Sequence, residues 1–469
     1  MNPQDPLFHH EDPGTPETAW LASPRWEEVP ALDHDALVRR WPTVLIAAAH
    51  PDDETLAVGA LVADLAAAGA DVTVLVATDG EASHPVSGSQ ERRGLARRRR
   101  AEVRQAVGQL SPRAGVEHLA LPDGALTLHE ERLAREIAAR SGRDTLVIAP
   151  WTRDGHPDHD ALGRAAQSAS AATGAATVHY PLWLWQWGDP ASFPWKEAVA
   201  HEGSAASAWR KRAALEQFPS QTLPWQGATT PPARPPAPPV VGPQVLARAH
   251  RLVETLLDPL AVLPAVGTAQ EEARLDDRIA TFDAMYDDGP DPWQFRGSFY
   301  EERRRALVLG LLGRRRYGSV LEVGCADGQM TAALLDRADD VLALDTSPRA
   351  VEAARLAAPG ATVVVGTAPH ALPQGPFDLV LLSEVGYFLT PLELLATLRK
   401  VQASLAPDGE LLLCHWQHPT TGVPLDGALV HEQAGAALGG RRLATHADDD
   451  VRIEVWGQAT SVAEREGRT

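Results

Sequence analysis

Short apolar runs alternate with stretches of helical periodicity through the first half of the chain. The strand-length runs are Thr43–Ala49, Val72–Ala77, Val116–Leu121 and Leu146–Pro150. Between them lie stretches with helical spacing of apolar residues, Leu56–Ala68, Gln90–Leu110 and Leu133–Arg140. Continuous apolar runs indicate strands buried on both faces, and regular alternation with helices predicts a parallel sheet covered by helices.

A second alternation of the same kind occupies the last third of the chain. Its apolar runs are Val320–Val323, Val341–Leu344, Thr362–Val365, Leu379–Ser383 and Glu410–His415, and its helical stretches are Thr331–Leu335, Arg349–Ala357 and Leu392–Leu405. Two further runs, Arg441–His446 and Val451–Gln458, flank a turn-like segment and predict antiparallel edge strands. The pattern as a whole predicts an α/β protein with two tandem Rossmann-like three-layer α/β/α domains and mostly parallel sheets.

A proline-rich segment marks the predicted seam between these domains. Seven of the seventeen residues in Gly227–Pro243 are proline, which favours an extended linker. The predicted organisation is an acidic, proline-rich N-terminal segment (1–40), a first domain (41–226), the linker (227–243), a helical connector (244–278) and a second domain (279–469).

Composition narrows the possible partners. The 469 residues include 43 Lys and Arg against 62 Asp and Glu, a net charge of −19 that disfavours nucleic acid as a partner. Cys325 and Cys414 are the only cysteines and form no metal-binding or redox motif, which fits a reducing compartment. Because no apolar run is long enough to span a bilayer and no signal-like start is evident, we expect a cytoplasmic enzyme without membrane insertion. The Ala- and Arg-rich, Lys-poor composition is typical of a GC-rich bacterial genome.

Two histidine and aspartate clusters follow predicted strands of the first domain. His50-Pro51-Asp52-Asp53-Glu54 comes after one strand, and His156-Pro157-Asp158-His159-Asp160 after another. The carboxyl ends of parallel strands meet at one sheet edge, so both clusters are expected there. Imidazole and carboxylate ligands without thiolates suit a catalytic zinc or iron(II) ion. The alternative is that each cluster only starts a helix, where Asp and Pro are favoured.

These residues resemble the two markers of the GlcNAc-phosphatidylinositol de-N-acetylase (LmbE-like) family, His-Pro-Asp-Asp-Glu and His-x-Asp-His. The resemblance implies that His50, Asp53 and His159 hold the metal and that Asp52 is the general base. It further implies that His156, supported by Asp158, stabilises the oxyanion.

The same resemblance suggests substrate contacts. Arg99 and Asp123 match sugar-contacting positions, although Arg99 could equally be a solvated residue within the Arg97–Arg100 run.

The alternating tryptophans of Pro181–Trp187 would share one face of a strand, as a sugar-stacking surface or as packing.

The second domain carries a glycine-rich turn. Glu322-Val323-Gly324-Cys325-Ala326-Asp327-Gly328 follows a strand, and Asp345 ends the next one, where it could accept both ribose hydroxyls of a nucleoside cofactor. This turn, with Gly375–Val380, Ser383-Glu384 and Leu405–Glu410, resembles the successive motifs of class I S-adenosylmethionine (SAM) methyltransferases. The resemblance implies cofactor-binding roles for Glu322, Gly324, Asp327, Gly328, Asp345, Ser383 and Glu384. The segment after the third strand, 366–368, lacks the acidic residue that often holds adenine.

Residues before this turn resemble the nodulation-type N-methyltransferases, which methylate amines of deacetylated chitin-like oligosaccharides. The matching segments are Phe282–Tyr286, Asp291–Phe295 and Ser298–Arg304. Trp293 and Tyr300 could close over the cofactor or merely pack the sheet. Glu384, Tyr387 and His415, at predicted strand ends, could touch the methyl acceptor, with a surface role the alternative for His415.

Together the two resemblances predict a bifunctional enzyme that deacetylates an N-acetyl amino sugar or its conjugate and then N-methylates the freed amine. The alternatives are methylation of oxygen or of another pathway intermediate, and a non-catalytic binding or scaffold role for one domain. The expected cofactors are Zn²⁺ or Fe²⁺ and SAM, and the expected partner is a small-molecule amino sugar.

Overall fold

The structure is a computed structural model and describes residues 14–85, 88–225, 236–289, 291–458 and 460–468. The chain divides into two compact units, with the boundary between Val266 and Gly267. Each unit contains one seven-stranded sheet.

The first unit has a mostly parallel sheet with strand order β3-β2-β1-β4-β5-β7-β6. Its strands are β1 Thr43–Ala48, β2 Asp71–Thr78, β3 Gly115–Leu121, β4 Thr145–Pro150, β5 Ala176–Tyr180, β6 Ala198–Glu202 and β7 Val253–Leu257. Strands β1 to β5 pair in parallel, whereas β7 runs antiparallel to both β5 and β6. The first four strands confirm the apolar runs predicted for this half; β5, β6 and β7 were not among those runs.

Helices cover both faces of this sheet. They are α1 Glu17–Leu21, α2 His34–Arg40, α3 Asp53–Ala67, α4 Ser89–Leu110, α5 Glu130–Ala138, α6 Pro157–Thr173, α7 Trp183–Trp187, α8 Ala205–Leu215, α9 Pro219–Thr222 and α10 Pro243–Ala249, with short 3₁₀ turns at Pro24–Glu28, Leu126–Leu128 and Trp195–Glu197. Along β1, Val44 and Ile46 belong to one hydrophobic cluster, while Leu45 and Ala47 belong to another. Because successive strand residues point to opposite faces, the two clusters are the two cores of a three-layer unit.

The boundary between the units differs from the predicted linker at 227–243. Chain beyond the prolines returns to the first unit, where α10 packs and β7 joins the sheet. Glu254 of β7 accepts backbone N–H bonds from Ala60 and Leu61 at 2.8 Å and pairs with Lys211 at 2.7 Å. Composition identified the prolines but could not show that the next strand completes the preceding sheet. Residues 227–235 of the predicted linker lie outside the described residues.

The predicted N-terminal segment is also part of the first unit, so far as it is described. Residues 1–13 lie outside the description, but from residue 14 onward the chain packs on the unit, and Trp20, Trp26 and Leu37 are buried. Glu17 pairs with Arg251, which lies just before β7.

The second unit has strand order β10-β9-β8-β11-β12-β14-β13. Its strands are β8 Tyr317–Val323, β9 Ala338–Asp345, β10 Thr362–Val365, β11 Phe377–Ser383, β12 Leu405–Trp416, β13 Arg441–Ala447 and β14 Val451–Gly457. Its helices are α11 Thr268–Ala284, α12 Phe299–Leu311, α13 Gln329–Leu335, α14 Pro348–Ala357, α15 Pro391–Ser404, α16 Gly427–Ala437 and α17 Val462–Arg465, with 3₁₀ turns at Met285–Asp288 and Gly386–Phe388. Strands β8 to β12 are parallel, and β13 and β14 are antiparallel as predicted.

The α/β fold with two mostly parallel, helix-covered sheets is therefore confirmed. One detail differs: β13 is an edge strand, but β14 lies between β12 and β13. Within the described ranges, no helix combines the length and apolarity needed to cross a bilayer.

Candidate active sites

The first site lies at the switch point of the first sheet. Strands β1 and β4 are neighbours, and the chain leaves them for opposite halves of the sheet, which opens a crevice beyond their carboxyl ends. Asp53 begins α3 directly after β1. After β4, His156 caps α6, and Pro157 occupies the first turn, where its missing N–H costs nothing. The two predicted clusters are thus brought to one edge.

His50, Asp53 and His159 converge there. One nitrogen or oxygen from each lies within 4.8 Å of the others, His159 Nε2 is 3.3 Å from Asp53 Oδ2, and His50 Nδ1 is 3.6 Å from that same oxygen. Two ligand atoms each bound to one tetrahedral zinc are about 3.3 Å apart. His159 Nε2 is fully buried and has no hydrogen-bond partner among the described residues. A buried nitrogen facing a carboxylate at ligand spacing fits a metal ion.

Asp154 holds the His159 ring in place. Its Oδ2 lies 2.8 Å from His159 Nδ1, and its two oxygens also accept the backbone N–H groups of residues 182, 183 and 184. A carboxylate on the far nitrogen fixes the tautomer of a metal-binding histidine. Sequence analysis missed Asp154, although it stands two residues before His156 in the same loop.

Asp52 and Arg99 form a buried pair beside these residues. Asp52 has a φ of 145°, a strained backbone conformation for a residue with a side chain, and its Oδ2 lies 3.0 Å from Arg99 Nη2. Burial raises the pKa of Asp52 to about 7, against the opposing effect of Arg99. Arg99 also donates to the carbonyls of Pro51 and Gly80 and is 2% exposed, so the solvated-helix alternative is wrong. Its predicted sugar contact stays a prediction.

Asp123, which follows β3, and Asp158, in the first turn of α6, both lie close to His50. Asp123 Oδ1 is 3.1 Å, and Asp158 Oδ2 3.4 Å, from His50 Nε2, and these three residues form a second possible cation cluster. The bond to His50 holds the pKa of Asp123 below its usual range, although burial opposes this. Asp158 also accepts the N–H groups of Gly124 and Leu126.

His156 meets Asp158 through the backbone: its Nδ1 accepts the Asp158 N–H at 3.2 Å. The Asp158 charge also favours the protonated form of His156, and the predicted support of His156 by Asp158 stays a prediction. Because Nδ1 accepts the hydrogen bond from the Asp158 N–H, the proton of the neutral His156 ring lies on Nε2. Burial, together with the nearby His159, lowers the pKa of His156 to about 3.

The tryptophans of 183–187 lie on helix α7, so the predicted single-faced strand is wrong. Trp183 stacks near His156, with ring centroids 6.4 Å apart, and Trp187 stacks on Trp183 at 4.9 Å. Trp185 points elsewhere, into a buried aromatic cluster with Trp20 and Phe193. The helical turn replaces the period of two with one that keeps Trp183 and Trp187 together and sends Trp185 to another side.

The second site is a cavity of about 520 Å³ at the corresponding switch point, between β8 and β11. Most of the predicted cofactor and acceptor residues line it: Glu322, Gly324, Asp327, Asp345, Ser383, Glu384 and Tyr387. Trp293 and Tyr300 line it too. Gly328 and His415 are not among the lining residues.

The glycine turn lines the cavity, and close packing on Val385 requires glycine at position 324. Gly324 has a φ of 77°, and a Cβ built on it would stand 2.2 Å from Val385. Asp345 ends β9, and its carboxylate is oriented by the N–H groups of Ala326 and Ser347 at 2.9 Å. An oriented carboxylate one strand away from a glycine turn fits the ribose and backbone contacts of a nucleoside cofactor. Gly328 instead starts α13 and packs against Ala354 of α14.

Three further predicted cofactor residues form hydrogen bonds or ion pairs with side chains of the second unit. Glu322 is 2% exposed and accepts from Thr331 at 2.6 Å, and burial raises its pKa to about 8. Asp327 pairs with Arg296 at 3.0 Å. Ser383 accepts from Arg304 at 2.7 Å.

His415 lies behind the cavity rather than on its surface. It is fully buried; its Nε2 accepts the Gly386 N–H at 3.1 Å, and its Nδ1 lies 3.2 Å from His431 Nε2. His431 Nδ1 in turn is 3.1 Å from Glu454. Both ring nitrogens are used inside the unit, so the structure supports neither the surface alternative nor acceptor contact for His415.

Comparison with known proteins identifies both units. Residues 45–170 match the family described as GlcNAc-PI de-N-acetylase, and residues 320–409 match the family described as methyltransferase domain.

Three curated relatives illustrate the two matches. A 1D-myo-inositol 2-acetamido-2-deoxy-alpha-D-glucopyranoside deacetylase of Rhodococcus erythropolis is 31% identical over 38% of this chain and 66% of its own length. Nodulation protein S of Bradyrhizobium diazoefficiens is 33% identical over 26% of this chain and 61% of its own length. A protein-L-isoaspartate O-methyltransferase of Methylorubrum extorquens is 32% identical over 35% of this chain and 72% of its own length.

Proposed function

We propose, from the premise that this chain joins a domain of the GlcNAc-PI de-N-acetylase family to a methyltransferase domain, that it acts twice on one amino sugar. The first unit hydrolyses the N-acetyl group of an amino sugar or its conjugate, and the second methylates the freed amine with SAM. The observation that carries the hydrolytic half is the convergence of His50, Asp53 and the unpartnered, buried His159 Nε2.

In the first unit, His50, Asp53 and His159 would hold Zn²⁺ or Fe²⁺. Such an ion, when bound, lowers the pKa of a coordinated water towards neutrality. Asp52 accepts a proton from the attacking water and passes it to the departing nitrogen. Arg99, 3.0 Å away, favours the ionised form of Asp52 that this role requires. His156 Nε2 donates to the oxygen that becomes negative as the amide carbon turns tetrahedral.

In the second unit, the backbone of the turn at Gly324 would contact SAM, and the carboxylate of Asp345 would accept hydrogen bonds from the SAM ribose. That cofactor supplies a methyl group bound to a positively charged sulfur. Cavity residues beyond the cofactor then orient the acceptor nitrogen towards this methyl group.

Chemistry fixes the order of the two reactions. An acetyl group delocalises the nitrogen lone pair into the amide, so the nitrogen becomes a nucleophile only after hydrolysis. The deacetylase relative, whose name describes a 2-acetamido sugar, and nodulation protein S support this pairing. Methylation of oxygen is the second candidate, favoured by the match to an O-methyltransferase.

The test uses the full chain with N-acetylglucosamine conjugates and labelled SAM, followed by mass spectrometry. We expect loss of an acetyl group and gain of one methyl on nitrogen, with deacetylation abolished by a chelator and restored by Zn²⁺ or Fe²⁺. The Asp52→Asn variant should produce no labelled sugar from the acetylated substrate, and free-amine sugar should restore labelling. Labelling of the acetylated compound would favour oxygen methylation, and labelling of neither compound would mean that the units serve different molecules.

A further inference from the structure

Two buried polar atoms in the cavity of the second unit lack partners among the described residues: Glu384 Oε1 and Tyr300 Oη. Burying such atoms without a hydrogen bond costs free energy, so each marks a place where a ligand is expected to bind. Both residues contact Trp416, whose ring centroid lies 5.0 Å from that of Tyr300 and whose backbone N–H lies 3.4 Å from Glu384 Oε2.

The second oxygen of Glu384 is already engaged. Its Oε2 accepts from the Tyr387 hydroxyl and, at 3.4 Å, from the Trp416 N–H. Glu384 also has a φ of 58°, an uncommon conformation for a residue with a side chain. The Tyr387 hydroxyl and the Trp416 amide therefore hold one oxygen fixed, while the other is buried without a partner among the described residues, as in many pre-organised recognition groups.

Charge around the cavity points to the class of ligand. Three arginines near it are each matched by a carboxylate: Arg304 with Glu301 at 2.6 Å, Arg296 with Asp327 at 3.0 Å and Arg278 with Glu393 at 2.7 Å. Burial raises the pKa of Glu384 and outweighs the opposing effect of Arg304. A ligand with positive charge or several N–H groups would compensate the Glu384 charge.

We infer that Glu384 and Tyr300 form the subsite for the amine of the methyl acceptor, rather than a part of the cofactor site. The inference rests on the proposed N-methylation. A primary amine has two N–H groups, one for Glu384 Oε1 and one for Tyr300 Oη, and its lone pair then stays free. That lone pair forms the new N–CH₃ bond as the electrons of the S–CH₃ bond pass to sulfur. A hydroxyl matches both atoms as well, by donating its proton to Glu384 Oε1 and accepting the Tyr300 O–H, so the choice of an amine rests on the proposed N-methylation.

The variants Glu384→Gln and Tyr300→Phe test this in the full chain, with glucosamine as the amine probe. We expect Glu384→Gln to lower kcat/KM for glucosamine about 10- to 100-fold, as for loss of a charged hydrogen bond. Tyr300→Phe should lower it about 2- to 10-fold. Glu352→Gln, an exposed charge loss on α14, is the matched control and should leave kcat/KM unchanged.

Calorimetry with S-adenosylhomocysteine separates the two possible roles and shows that each variant is folded. Its Kd should stay within about twofold of wild type in both variants, whereas glucosamine binding to the S-adenosylhomocysteine-saturated chain should weaken. Equal weakening of S-adenosylhomocysteine binding, or unchanged glucosamine kinetics in both variants, would overturn the assignment. A wild-type chain that binds glucosamine at this subsite but never methylates it would refute the proposed function and leave the subsite standing.

Discussion

Replacing Asp154 by Asn should loosen metal binding without touching a metal ligand. The buried Asp154 side chain has one oxygen shared by the 182 and 184 amides and another shared by the 183 amide and His159 Nδ1. Asn has one acceptor oxygen where Asp has two. Its NH₂ group must therefore face one of these two sets of N–H donors. If the NH₂ faces His159, Nδ1 becomes an acceptor and the proton moves to Nε2, the atom aimed at Asp53. If it faces the other way, two backbone amides lose their acceptor.

The first orientation keeps the bonds from the 182 and 184 amides and one bond to His159, and only the 183 amide loses its acceptor. We therefore expect this orientation to prevail. We therefore expect metal affinity to fall about 10- to 100-fold, as when the carboxylate behind a ligating histidine is removed. Zn²⁺ affinity is measured by competition with a chromophoric chelator, and deacetylation is followed at saturating Zn²⁺, where much of the loss should be recovered. Asp160→Asn is the matched control, since Asp160 accepts two amides of the same loop, those of Asp154 and Gly155. Equal Zn²⁺ affinity in the Asp154 variant and wild type would refute the reasoning.

Three further substitutions probe the other assignments. Asp52→Asn should keep the metal but lower deacetylation about 10²- to 10⁴-fold, measured as metal content and initial rate; full activity would remove Asp52 as the base. Asp345→Ala should weaken SAM binding in calorimetry with deacetylation unchanged, and binding of NADH instead would contradict the methyltransferase site. Glu254→Gln leaves the buried Lys211 without its carboxylate and should cost the first unit about 3–5 kcal/mol in a denaturant titration. Unchanged stability would mean that β7 contributes little to the first sheet.

Local pattern predicted the parallel strands because buried strands need continuous apolar runs, and both sheets supply them. The same logic placed His50 and His159 at one edge, since strand ends of a parallel sheet share an edge. Pattern failed at β7, where the antiparallel partner is β6, some fifty residues earlier and beyond the prolines. A pairing across that distance leaves no trace in local periodicity.

The missed site residues share a different cause. Asp154 acts through His159, and a residue that orients a ligand has no motif spacing of its own beyond lying nearby. His415 sits at a strand end as predicted, yet His431 of α16 covers it, so position on a strand did not decide exposure. The tryptophans near 185 were interpreted with a period of two because aromatic residues favour strands, and the structure gives them a helical turn.

The two sheets share one strand order, and both candidate sites lie at the carboxyl ends of the strands that come first and fourth along the chain of each unit. Topology therefore supplies the crevice in both units, and the residues directly after those strands supply the chemistry. After β1 and β4 stand imidazoles and carboxylates at metal-ligand spacing, which favour hydrolysis. After β8 the chain turns at Gly324, which lines the cavity, and after β11 comes Glu384, with one carboxylate oxygen unpartnered among the described residues. A free amine is the group that the first site would release and that Glu384 in the second would bind, so one proposed substrate links the chemistry of the two sites.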